Sequence, residues 1–182
     1  MAAKHAVRAI ASVVLDDPKF PKWSGASKPT THHYGYGGLC QHVWEVCQLC
    51  ERTNDFFTTI DKAVDGKLLF LAALFHDVGK LWDYEPVPYI LGDIDKYRDW
   101  RATDHKHKIH HISRSAMIWY RTTEGITFTN AERDEVAHAI LAHHGQREWG
   151  SPVTPQTRMA WILHNCDQLS ARVDDCDKKG KK

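Results

Sequence analysis

Apolar residues recur along this chain at intervals of three and four, and this pattern predicts five or six helices with no convincing strand. Val7, Ile10, Val14 and Leu15, mixed with Lys4, His5 and Arg8, place an amphipathic helix at the N-terminus. Asp16 to Tyr36 is rich in Pro, Gly, Ser and Thr and reads as an ordered loop. Gly37-Gly38 opens the next helix, whose apolar positions are Leu39, Val43, Val46 and Leu49. Leu68 to Phe75 is apolar without a break, so a helix buried on all sides is expected there, with Gly79 as its stop. Residues 81–107 break the pattern. Trp82, Tyr84, Tyr89, Tyr97 and Trp100 alternate with charges and with Pro86 and Pro88, as in a long functional or mobile loop. A helix is predicted from about Lys108 to Arg121. Another is started by the capping box Thr129-x-x-Glu132, runs to His144 and stops at Gly145. Thr154 and Pro155 supply an N-cap and a first-turn proline for the last helix, which should end near Val173. The expected architecture is all-α: a single domain over residues 1–182, with a core of about 18–173 and a frayed polar tail over 174–182.

Composition narrows this picture only at a few points. Basic and acidic residues nearly cancel, 24 against 23, which argues against a nucleic-acid coat protein or a membrane-surface protein. No stretch resembles a signal peptide or a membrane span. The 5 cysteines lack framework spacing, which favours a reducing, cytoplasmic compartment. Cys47-x-x-Cys50 has the spacing of a metal pair but sits within a helical pattern, where small core or surface residues are the simpler reading. The 13 histidines are the unusual feature, and they invite a search for metal ligands.

That search finds polar residues on apolar faces. His42 shares a face with Leu39, Val46 and Leu49. His76 and Asp77 close the most apolar helix, where an unpaired charge is costly. His111 lies with Ser115 and Ile118, His143 with Val136 and Ile140, and Asp167 with Ala160 and Leu163. Any one of these could be a satisfied core group. A whole set of them needs many separate partners, and a shared cation would satisfy them together. Imidazole mixed with carboxylate suits Mn, Fe, Co, Ni or Zn better than Ca or Mg.

His42, then His76-Asp77 in the run His-Asp-Val-Gly-Lys, then Asp167, resembles the H…HD…D signature of the HD phosphohydrolase superfamily. His111 and the pair His143-His144 resemble its two-metal subgroup. Residues 32–42, 143–153 and 163–169 are similar to the HD domain of YhaM-type 3′-to-5′ exoribonucleases, and the likeness covers roughly 18–173. That family also carries a nucleic-acid-binding OB domain, for which this chain has no room. The ligand order is shared with HD-GYP phosphodiesterases, but their Gly-Tyr-Pro element does not follow Gly145. Small phage-type HD nucleotide hydrolases are of similar size.

The resemblance implies a helical bundle around one or two divalent transition metals. Asp77 would bridge them, with His42, His76 and Asp167 on one side and His111, His143 and His144 on the other. Such a centre would hold a hydroxide nucleophile and polarise a phosphoryl oxygen. Lys80 is the expected fixed cation beside the phosphate, and Arg114 a second contact. Trp23, Trp82 and Trp149, with Tyr34 and Tyr84, are candidates to stack a base, an interaction worth about 1–3 kcal/mol. His32 and His33 belong to the resembled motif without an expected ligand role. His5, His105, His107 and His110 read as solvated. The implied activity is hydrolysis of (deoxy)nucleoside phosphates. The alternatives are a 3′-to-5′ exonuclease on single-stranded nucleic acid and a non-catalytic nucleotide-binding regulator. The implied partner is a nucleotide or a nucleic-acid 3′ end, with no membrane.

Overall fold

The computed structural model describes residues 2–87, 99–126 and 128–179. Helices α1 (Ala2–Leu15), α2 (Gly38–Thr58), α3 (Gly66–Phe75) and α4 (Lys80–Asp83) are followed by strands β1 (Tyr84–Pro86) and β2 (Trp100–Ala102). Helices α5 (Asp104–Lys108), α6 (His111–Thr122), α7 (Asn130–Ala142) and α8 (Arg158–Lys179) complete the order. Helix α2 packs on α3 and α8, and α7 closes the ring by packing on α8 and α3. Helix α6 flanks α7, and α1 flanks α3. No helix of the described residues is long and apolar enough to cross a membrane.

The apolar run in α3 occupies the middle of this ring. Leu69, Leu71, Ala72, Ala73 and Phe75 are buried, and only Phe70 reaches the surface, at 38% exposure. Asp65 caps the helix by accepting from the amides of Lys67 and Leu68. Phe75 meets Trp119 of α6 edge-on, with ring centroids 5.6 Å apart, and the indole of Trp119 donates to the Arg133 carbonyl of α7. The apolar interior therefore ties α3, α6 and α7 together.

Several expectations are corrected. Gly79 does not end α3 with a left-handed turn, since its φ is −61°. It is glycine because a Cβ there would overlap the backbone of His111, so α4 and the start of α6 approach closely. The last helix begins at Arg158, with Thr157 accepting from Ala160, and not at Thr154-Pro155. The amide of Gln156 is taken instead by His138 of α7, which keeps residues 154–156 out of the helix. The same helix continues through Asp174 to Lys179 where a tail was expected. The helix expected from Lys108 begins at His111, after the short α5. The capping box at Thr129 and Glu132 is formed, and α7 ends at Ala142 with Gly145 at φ 82°.

Within the expected loop, β1 and β2 pair antiparallel, with Tyr84 opposite Ala102 and Pro86 opposite Trp100. Strands of three residues are too short to show a period of two. Pro88, Tyr89 and Tyr97 lie outside the described residues.

Candidate metal centre

Each inward-facing polar side chain of the sequence arrives at one place. Helix α2 brings His42, the turn after α3 brings His76 and Asp77, α6 brings His111, the end of α7 brings His143 and His144, and α8 brings Asp167. His42, His76, Asp77, His111, His143 and Asp167 are all buried, and His144 is half-buried.

Asp77 organises the cluster. Its Oδ2 lies 3.3 Å from His42 Nε2 and 3.4 Å from His76 Nε2, and its Oδ1 lies 3.4 Å from His111 Nε2 and 3.6 Å from His143 Nε2. On the first side, Asp167 Oδ1 is 3.0 Å from His42 Nε2 and 3.7 Å from His76 Nε2. Two compact donor groups result, His42 with His76 and Asp167, and His111 with His143 and His144.

The histidines are held from behind. The Nδ1–H of His76 meets the Ala73 carbonyl at 2.7 Å, that of His143 the Ile140 carbonyl at 2.7 Å, and that of His144 the Trp149 carbonyl at 2.6 Å. His111 Nδ1 donates to Asp83 Oδ2 at 2.9 Å. His42 Nδ1 donates to Ser170 Oγ at 3.0 Å, and Ser170 in turn donates to Glu45 at 2.8 Å. With Nδ1 engaged from behind in each ring, Nε2 is the nitrogen that faces the centre, the orientation that metal ligation needs.

The residues fit a cation. Asp77 Oδ1, His111 Nε2 and His143 Nε2 are buried and have no hydrogen-bond partner among the described residues, an arrangement that costs free energy unless a cation meets all three. A third grouping, Asp83 with His110 and His111, is different in kind: both Asp83 oxygens already accept hydrogen bonds from His105 and His111.

Charge is arranged to match. Burial disfavours a charged Asp77, but Lys80 and His76 outweigh it and hold the carboxyl well below its usual range. Burial likewise opposes the charge on Lys80, and Asp77, 2.7 Å from its Nζ, more than compensates and keeps the amine protonated. Burial pushes the His111 imidazole down to about 4 and that of His144 to about 2, so both are neutral donors. Lys80 is therefore a buried partner of Asp77 and not a solvated helix-end lysine.

A cavity of about 200 Å³ opens over the centre, and Lys80, Lys106, His110, His111, His144 and Asp167 are among its walls. Tyr84 also lines this cavity, whereas the other expected substrate contacts stand elsewhere, Tyr34 with its hydroxyl donating to Asp99. Trp23 packs edge-on against Trp100 and donates to the Tyr84 carbonyl. Trp82 carries the Arg114 guanidinium over its ring at 5.5 Å, facing a separate groove along α6. Trp149 is exposed, and its contribution to the centre is its backbone carbonyl.

Two of the histidines expected to be solvated are engaged. His105 is half-buried and donates to Asp83 Oδ1 at 2.7 Å, and His110 forms part of the cavity wall. The supporting residues Glu45, Ser170 and Asp83 were not read from the sequence. Glu45 and Ser170 stand three residues after His42 and Asp167, the helical neighbour spacing, and that signal could have found them.

A family model described as the HD domain matches residues 39–172. A 3′-5′ exoribonuclease YhaM of Bacillus licheniformis is 27% identical over 175 residues, covering 96% of this chain and 49% of that protein. Its counterpart in Bacillus subtilis is 28% identical over 162 residues, covering 89% of this chain and 46% of that one. That of Listeria innocua is 29% identical over 147 residues, 81% of this chain and 42% of the relative. The chain thus spans about half the length of the curated relatives it matches. No solved structure matches it at a significant level.

Proposed function

The chain belongs to the HD domain family, and on that premise we propose that it is a metal-dependent phosphohydrolase acting on phosphodiester bonds at the 3′ ends of single-stranded nucleic acid. The observation that carries the chemistry is the split of Asp77, one carboxylate oxygen turned to each of two histidine groups. His42, His76 and Asp167 would hold one ion, His111, His143 and His144 the other, and Asp77 would be shared. The donor set suits Mn, Fe, Co, Ni or Zn. Divalent ions bound there supply Lewis acidity toward water and toward a phosphoryl oxygen.

The remaining work falls to the chain itself. The carbonyls of Ala73, Ile140 and Trp149, with Asp83 and Ser170, keep the imidazoles aimed before substrate arrives, so no reorganisation is needed at the moment of reaction. Lys80 stays protonated in the cavity wall, where its charge can meet the negative charge that grows on the phosphoryl oxygens. The choice of 3′ ends rests on the curated relatives, which are 3′-5′ exoribonucleases.

A second reading, hydrolysis of free nucleotides, is favoured by the cavity. At about 200 Å³ it takes a phosphate group or two with part of a nucleoside, and not a run of several nucleotides.

The test is to incubate protein reconstituted with Mn, Co, Fe or Zn with short single-stranded oligonucleotides, dNTPs, NTPs and cyclic dinucleotides. Stepwise shortening from the 3′ end, lost in Asp77→Ala, is the expected result. Turnover confined to mononucleotides would select the second reading. Survival of every substrate at full metal occupancy would remove the phosphohydrolase assignment.

A further inference from the structure

His110, the residue before α6, has φ 70° and ψ 146°, a backbone region that essentially only glycine occupies without strain. The turn has a use, since it delivers the His111 amide to Asp83 Oδ2 at 3.1 Å. Glycine would make the same turn unstrained. The imidazole adds a further cost, because its Nδ1 is buried with no hydrogen-bond partner among the described residues. No side-chain hydrogen bond among the described residues offsets the second cost, so hydrogen bonding within the fold does not account for a histidine here in place of glycine.

Its surroundings offer a reason. The ring packs against that of His111, tilted by 38° with centroids 4.1 Å apart, and lines the cavity together with Lys80 and Lys106. Lys80 is paired with Asp77. No carboxylate pairs with Lys106 among the described residues, and its Nζ stands 5.0 Å from the Tyr84 ring centroid. One wall of the cavity, outside the metal-ligand set, thus offers an ammonium with no carboxylate partner among the described residues and an imidazole ring.

We propose that Lys106 and His110 form a second phosphate subsite, which binds the non-bridging oxygens of a substrate phosphate adjacent to the one attacked. Lys106 supplies the point charge and His110 a directional N–H. The inference rests on the phosphohydrolase reading and adds that the preferred substrate carries at least two phosphates. That second phosphate belongs to a nucleic-acid chain or to a polyphosphate, and the assay separates the two.

The experiment compares wild type, His110→Gly, His110→Asn and Lys106→Ala, all metal-reconstituted. The substrates are the dinucleotides pApA and ApA, and ADP against AMP. The preference in kcat/KM for the substrate with the extra phosphate should fall about 10- to 100-fold in His110→Gly and Lys106→Ala, mainly through KM. His110→Asn, which can still donate and tolerates positive φ better than most side chains, should recover part of it. The pair in which the preference is lost identifies the source of the phosphate. His110→Gly should also raise Tm by about 2–8 °C as the strain is relieved. An unchanged preference in both variants overturns the subsite whatever Tm does. If wild type turns over none of these substrates, the phosphohydrolase reading fails separately. Calorimetry with inorganic pyrophosphate then decides the subsite alone: weaker binding by the variants upholds it, and equal binding removes it.

Discussion

Asp83 Oδ2 accepts the Nδ1–H of His111 at 2.9 Å from a position with no solvent exposure. The same oxygen takes the His111 amide, while Oδ1 takes His105 Nδ1, whose Nε2 accepts from Arg114. Burial would raise the Asp83 pKa, but the hydrogen bonds and charge of His111 and the bond from His105 keep it below the usual carboxylate range. One buried carboxylate at the end of α4 therefore orients a proposed ligand at the start of α6.

Asp83→Asn tests that orientation. An amide keeps the shape but turns an NH₂ toward a group that must also donate, and it carries no charge. Affinity for the ion on the His111 side should drop about 10- to 100-fold, read by chelator competition. Unchanged affinity would mean that His111 is oriented without Asp83.

Lys80→Ala leaves the buried Asp77 carboxylate without its ammonium partner. In chelator, unfolding by urea should show a loss of about 3–5 kcal/mol. Reconstitution with metal should restore part of this, because a cation beside Asp77 offsets its charge. A variant as stable as wild type in chelator would contradict the pairing.

Metal loading should release protons. Burial opposes a charge on His42, yet the hydrogen bonds and charges of Asp167 and Asp77 outweigh it and raise the pKa to about 9. Near neutral pH the imidazole is therefore protonated without metal, and ligation requires it neutral. Calorimetry in buffers of different ionisation enthalpy should report about one proton from this source. The stability linkage has a definite sign. The folded pKa lies above the unfolded value of about 6.5, so this contribution is complete below that pH and is lost as pH rises through about 9. The Tm of chelated protein should accordingly fall between neutral and strongly alkaline pH, and a flat profile would refute the pairing.

The start of α8 can be checked by its cap. Thr157→Ala should cost about 1 kcal/mol in urea unfolding of the metal-loaded protein, and Thr154→Ala clearly less. Equal costs would put the helix start back at Thr154-Pro155.

Much of this was legible along the chain. The spacing that sets His42 among Leu39, Val46 and Leu49, and His143 among Val136 and Ile140, marked both as inward-facing. Asp83 was not legible, because it follows Gly79 in an aromatic, charged segment with no period to read. His110 was misread as solvated, since a residue's φ leaves no trace in composition. The start of α8 was misplaced because the deciding hydrogen bond comes from His138 on another helix.

The sequence by itself determined where the long helices α1, α2, α3, α6, α7 and α8 lie, give or take their ends, which polar side chains share their apolar faces, and the identity of the proposed metal donors. Those properties follow from a local repeat of 3.6 residues per turn, so neighbours three and four apart suffice to reveal them. Only the tertiary structure decided that Asp77 turns one oxygen to His42 and the other to His111, that Asp83 stands behind His111, and that His110 lines the cavity. Those relations depend on where separate helices cross and on how side chains pack between them. Distances between residues as far apart as His42 and Asp167 are set by that packing and not by any short-range pattern.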